Sequence, residues 1–228
     1  MKIDRKPIFA AVDGLVPGIW NKPGTIGIMD RAIDEALGVE KLYTVSDGVA
    51  FFAGVRKVTR SLNQEQVDSI KLLLLEMARW PVGWAAYGLA TAWHEARFIP
   101  QEEWGKGKGR KYGKPGKYGQ SQHGRGFIQL TWDANYAWAD KALGLNGALL
   151  KNFNLALKPN FAAAILVAGM ERGAFNPKGK GIAEYIGQRG TYAEFVQARW
   201  LVNLQDKAGQ IAKQAEQFQD ALEAGGWR

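Results

Sequence analysis

From Ser61 onward, apolar residues recur at helical spacing. Ser61 and Gln64 stand at capping-box distance, and the band Val67, Ile70, Leu74 and Met77 follows until Pro81 breaks the run. The next segment, Val82 to about Ala96, is apolar almost all round, with Trp84, Ala85, Ala86, Tyr87, Leu89, Ala90, Ala92 and Trp93. A helix without a polar face belongs at the centre of a fold. Further helices are expected at Asp133–Leu143, at Pro159–Arg172 with Pro in the first turn, at Tyr192–Val202 behind a Thr191/Glu194 capping box, and at Lys207–Glu223. Strand-like alternation is nearly absent. The pattern predicts an all-α domain, with room for one small β-hairpin in the glycine- and lysine-rich loop between the second and third of these helices.

The first sixty residues give weaker signals. Turns are marked by Val16-Pro17-Gly18 and Lys22-Pro23-Gly24, and a short helix is expected from Met29 to Leu37, stopped by Gly38. We therefore divide the chain into an N-terminal extension, residues 1–50, and a domain spanning 51–228. The basic start Met1-Lys-Ile-Asp-Arg-Lys resembles the opening of a secretory signal, but Asp13 and Gly14 break the apolar stretch Pro7–Val12 too early. The expectation is a protein made in a cytoplasm without an export signal of its own.

Composition narrows the chemistry. At 228 residues the chain suits one domain, and 46% hydrophobic with 23% charged residues excludes wholesale disorder. No apolar run approaches the ~18 residues of a membrane span. Cysteine is absent, which removes thiol nucleophiles, disulfides and Cys-ligated metals, and only His94 and His123 remain for imidazole chemistry. No cofactor and no metal is expected. The net charge of +8 is concentrated: between Glu103 and Asp133 there is no acidic residue, while Lys106, Lys108, Arg110, Lys111, Lys114, Lys117 and Arg125 alternate with eight glycines. Each Gly costs a helix about 1 kcal/mol relative to Ala, so this segment reads as an exposed basic loop, either facing a polyanion, with cell wall and nucleic acid both eligible, or solvated without a partner.

Glu95 leaves the apolar helix at its C-terminal end, between Trp93 and Phe98. Apolar surroundings disfavour a charged carboxyl, the condition for a general acid near neutral pH. The plainer reading is an ion pair with Arg97 or a loop lysine. Glu102 and Glu103 follow across Pro100, and two carboxyls in unlike environments are the equipment of glycoside hydrolysis. Arg125, Trp104, Tyr112, Trp132, Gln129 and Asn135 are residue types that sugar clefts use, rings for pyranose faces and amides for hydroxyls.

His94-Glu95, Pro100-Gln-Glu-Glu103, the glycine-rich stretch and above all Gly124-Arg-Gly-Phe-Ile-Gln-Leu-Thr-Trp-Asp-Ala-Asn-Tyr136 resemble the family 19 glycoside hydrolases, the chitinases and related bacteriophage endolysins of lysozyme-like helical fold. Ala162 to Phe175 and Ala198-Arg-Trp-Leu-Val-Asn203 look like the phage branch, and the resemblance spans roughly Phe51 to Leu222. It implies that Glu95 is the general acid, that Glu103 is the second carboxylate, acting as base toward water, and that Thr131 helps hold that water. It further implies that His94, Tyr112, Arg125, Gln129, Trp132, Asn135, Tyr136 and Asn203 bind sugar or support the cleft, and that hydrolysis inverts the anomeric carbon. Glu102 stays open as an alternative to Glu103. The sequence departs from the family pattern at Ala96, where Thr or Ser is common, and at Gln122-His123, where an aromatic pair usually stands.

The reading that joins these features is an endolysin hydrolysing β-1,4 bonds of bacterial peptidoglycan. It would act as a monomer on the anionic wall, be held in the host cytoplasm until release, have no nucleic-acid partner and insert into no membrane. A chitinase is the alternative within enzymes. A basic wall-binding protein with structural carboxylates is the alternative outside them.

Overall fold

The computed structural model describes residues 6–15, 17–19, 29, 43–202 and 205–227. Among them helix accounts for 62% and strand for 4%, so the chain is all-α with one small sheet. The helices are α1 (Lys6–Leu15), α2 (Gly48–Thr59), α3 (Gln64–Glu76), α4 (Val82–Ala96), α5 (Asp133–Ala142), α6 (Ala148–Lys151), α7 (Pro159–Arg172), α8 (Tyr192–Gln197) and α9 (Ala208–Ala224). Strands β1 (Gln101–Glu102) and β2 (Arg125–Gly126) pair antiparallel, Gln101 opposite Gly126 and Glu102 opposite Arg125. The basic loop is the long connection between them. No helix among the described residues is long and apolar enough to cross a membrane. The expected helix at Met29–Leu37 lies outside the described residues apart from Met29.

Helix α4 occupies the centre, as its lack of a polar face requires: every residue from Ala85 to Ala92 is buried. Long helix α9 packs against α4, α2 and α8, while α3 packs on α7. Small residues permit these approaches. A Cβ on Gly54 of α2 would fall 2.6 Å from the Ala221 Cβ of α9, and one on Gly88 of α4 would meet the Met77 sulfur at 2.6 Å. Buried polar groups find partners across helices. The Gln219 side chain of α9 accepts from Gly190 N at 2.8 Å and donates to Gly190 O at 2.9 Å, and the Trp227 indole donates to Trp80 O at 3.0 Å.

Two boundaries differ from expectation. The capping box of α3 is formed by Asn63 and Gln66, two residues after the Ser61/Gln64 pair. Asn accepts as well as Ser at an N-cap, and Gln66 supplies the reciprocal amide oxygen to Asn63 N at 3.0 Å. The expected division after residue 50 falls inside α2, whose N-cap is Asp47, and Ser46 N and Asp47 N both donate to Gly225 O at 2.9 Å. The packed unit therefore reaches back at least to Tyr43, whose ring stacks on Trp227 at 6.0 Å. The Thr191/Glu194 box and Pro159 at the start of α7 stand where the sequence puts them.

The α2–α9 contact gives a direct stability test. Gly54→Val drives branched carbons into Ala221, and overpacking of this kind costs roughly 1–3 kcal/mol. The thermal midpoint should fall by several degrees, measured by circular dichroism. An unchanged midpoint would show that the two helices separate without cost.

Candidate active site

The C-terminus of α4 places Glu95. The helix stops at Ala96 because Arg97 and then Phe98 turn into the left-handed region, φ 51° and 60°. Arg97 bends back over the Trp93 ring at 4.6 Å and does not pair with Glu95. The partner is Arg199, in the turn after α8: its Nη2 lies 2.8 Å from Glu95 Oε1, an ionic contact without the alignment of a hydrogen bond. The Arg199 side chain is 1% exposed and that of Glu95 14%. Glu95 is thus set against a buried guanidinium as well as apolar side chains, which corrects the expected purely apolar setting. Tyr87, Thr91 and Glu95, spaced i, i+4 and i+8, share one face of α4. The Tyr87 hydroxyl and Thr91 Oγ1 are buried there beside one another, and His94 Nδ1 is buried without a hydrogen-bond partner. Burial pushes the Tyr87 phenol up and holds His94 below the usual histidine value, the latter against the opposing pull of Glu95.

The neighbouring carboxyls, adjacent in sequence, have separate surroundings. Glu102 pairs with Lys106 at 2.8 Å and accepts from His123 Nε2 at 3.1 Å, with Arg125 Nε at 3.9 Å. The Lys106 contact, then His123, holds its carboxyl below the usual range. Glu103 instead accepts from the Tyr112 hydroxyl at 2.9 Å and from Gly124 N at 3.3 Å. That carboxylate, more than burial, raises the Tyr112 phenol above its ordinary value. Glu102 is therefore part of an ionic strut, while Glu103 stands beside an aromatic hydroxyl and a backbone amide.

The Gly124–Tyr136 segment builds the wall next to Glu103. Arg125 and Leu130 exchange backbone hydrogen bonds around a tight turn. A Cβ on Gly124 would come within 2.8 Å of Gln129 Oε1 and 3.3 Å of Thr131 Oγ1, so Glu103 and Thr131 both approach Gly124. Gly126, at φ 83°, leaves room for Ala156 O. Gln129, at φ 54°, donates to Gln101 O and Gly126 O, Thr131 donates to Gln129 O at 2.7 Å, and Asn135 donates to Thr131 O at 2.8 Å. These polar residues brace the loop. Trp132 is held at φ 76°, ψ 136°, a costly conformation for a bulky side chain at about 1–3 kcal/mol. Its ring is 44% exposed and meets Tyr112 edge to face at 5.4 Å. Rigid, half-exposed and beside Glu103, the Tyr112–Trp132 pair has the form of a sugar platform.

Several expected residues lie elsewhere. Tyr136 is fully buried, stacked on Phe153 at 3.8 Å, and Arg125 donates to Ser121 O, His123 O, Tyr136 Oη and Asn154 Oδ1. Neither presents a polar group to a ligand; both support the loop from beneath. Burial pushes the Tyr136 phenol to about 12, against the opposing pull of Arg125. Because Arg125 is internal, six of the seven loop cations are exposed, and Lys106 among them is engaged by Glu102. Trp104, 99% exposed, has no packed face to orient it for a sugar. Asn203 lies outside the described residues. Sequence reasoning missed Arg199 and the chain Ser121 Oγ–His123 Nδ1 (2.9 Å)–Glu102, because these contacts join residues with no common spacing.

His123 gives a pH test. Burial, the largest cause, holds its pKa below the ordinary ~6.5, against the pull of Glu102. Below that value the unfolded chain binds a proton that the folded one resists, so stability rises with pH and is lost on acidification. His94 has the same sign. The thermal midpoint should fall from about pH 7 to pH 5, and His123→Gln should make the fall shallower. An identical slope in the variant would mean that His123 charges freely in the fold.

Compared with known protein-family models, with curated proteins and with solved structures, the chain shows no significant match. Its functional reading is therefore carried by the geometry of these residues.

Proposed function

We propose that the protein is a glycoside hydrolase of the family 19 type, an endolysin that cleaves the β-1,4 glycan of bacterial peptidoglycan. The supporting observation is the pair of unlike carboxyls. Glu95 comes from the end of a buried helix, and Glu103 lies at the foot of the Tyr112–Trp132 ring pair, held by one phenol and one backbone amide.

In this reading Glu95 protonates the leaving glycosidic oxygen, and Arg199 holds its carboxyl at the helix end. Glu103 takes the proton from water as that water attacks the anomeric carbon, and Thr131, on the same glycine, steadies the water. Tyr112 and Gly124 N fix the Glu103 carboxylate in one orientation. Glu102, bound up with Lys106 and His123, is a strut for the hairpin, and Glu103 is the second carboxylate.

Glu95→Gln should lower the rate of wall lysis at least ~100-fold while binding to isolated walls survives, because the amide cannot give up a proton. The same change removes the counter-charge of buried Arg199, so a stability loss of up to roughly 3–5 kcal/mol accompanies it, and activity must be read well below the melting point. Glu103→Gln should be nearly as damaging to rate, and Glu102→Gln much less so. Full lysis by Glu95→Gln would remove Glu95 from the mechanism and leave its carboxyl a structural partner of Arg199. Mass spectrometry of digested peptidoglycan checks the bond class. New reducing ends on an amino sugar support a glycosidase, and cut peptides with intact glycan would overturn it.

A further inference from the structure

Six cations of the basic loop are exposed, and Trp104 stands exposed among them. Its side chain is 99% exposed, the most exposed of the large apolar residues described. Around it the backbone turns sharply: Gly105, Lys106, Gly107 and Gly109 have φ of 76°, 49°, 67° and 80°. A Cβ added at Gly105 or Gly109 would meet nothing within 4 Å, so the chain on either side of Lys106 is open to solvent, while Gly107 between them packs on Tyr112. Lys108, Arg110, Lys111 and Lys114 are exposed along it.

A ring that stacks on a sugar or a nucleobase must be held with one face presented, because an unfixed ring loses its orientation on binding. Trp132 is held in that way and Trp104 is not. A fluid interface makes no such demand. Indole rings favour the headgroup layer of a bilayer, lysine stems lie along apolar surface while their ammonium groups stay in water, and cations near an anionic leaflet are each drawn to it. We propose that the Trp104–Lys114 segment is a peripheral membrane-docking loop, seating the Trp104 indole among the headgroups of a bilayer that contains anionic phospholipid. Docking of this kind crosses no hydrocarbon core, and Tyr112, within the segment, stays turned to Glu103 and Trp132.

The test uses the full chain and needs no enzymatic activity. Sedimentation with phosphatidylglycerol/phosphatidylethanolamine vesicles should show binding that weakens with salt, and phosphatidylcholine vesicles should bind far less. Replacing Lys108, Arg110, Lys111 and Lys114 together by Gln should reduce partitioning on the order of 100-fold or more. Trp104→Ala should reduce it several-fold. The difference in tryptophan emission between the wild-type protein and Trp104→Phe should shift to the blue on anionic vesicles. These residues are exposed, so unchanged melting curves confirm that each variant folds. Equal binding to neutral and anionic vesicles would overturn the proposal, as would vesicle binding indifferent to Trp104. So would a Trp104→Ala variant that loses affinity for isolated peptidoglycan or single-stranded DNA and not for vesicles, which would assign the loop to those polymers.

Discussion

A helix with no face left for water organises this molecule. Burying α4 on every side requires neighbours all round it, and its alanines and glycines let them come close. A Cβ on Gly83 would lie 2.5 Å from Gly190 N, and one on Gly88 would meet Met77. Such packing tolerates little added volume. It also fixes the axis of α4 and hence the position of its last turn. Glu95 inherits that rigidity, which the proposed role of proton donor requires.

The paired Glu95 and Arg199 show what this placement costs. Removing two charges from water is unfavourable, and their attraction compensates only when the geometry is maintained. Arg199 is tied from its other side by donating to Asp206 O at 2.8 Å. The turn after α8 thereby becomes part of the site, although it lies far along the chain from α4. A similar division holds at the hairpin. Glu102 absorbs Lys106 and His123, and this leaves Glu103 with neutral donors alone among its hydrogen bonds.

Most of the architecture was legible because hydrophobic periodicity reports on burial. Val82 to about Ala96 and Pro159–Arg172 were readable in the sequence, one from its uniform apolarity and one from its proline. Tyr192–Val202 was read too long, since α8 tightens after Gln197 into a 3-10 turn that carries Arg199 inward. Periodicity does not encode which short turn follows a helix. Glu95 and the Gly124–Tyr136 loop were visible as residue types at a helix end and in a glycine-bearing motif. The direction each side chain takes was not. Tyr136 and Arg125 were read as binding sugar or supporting the cleft, and their burial leaves them the supporting part, because a ring and a guanidinium serve a core as well as a cleft. The opposite surroundings of Glu102 and Glu103 come from Lys106 and Tyr112 nearby and from His123 and Gly124 across the hairpin, and the sequence does not say which carboxyl takes which partner.

The seat of α9 on α4 and α2 bears on how the protein comes into being. Before α9 emerges from the ribosome, the faces of α2 and α4 that it covers are bare, and Phe51, Val55 and Leu89 have no complete core to enter. Contacts so distant in sequence slow folding and leave apolar surface open to other chains in the meantime. Until α9 has been made, the nascent chain therefore keeps that apolar surface open to association, and Glu95 waits for Arg199 to complete its surroundings.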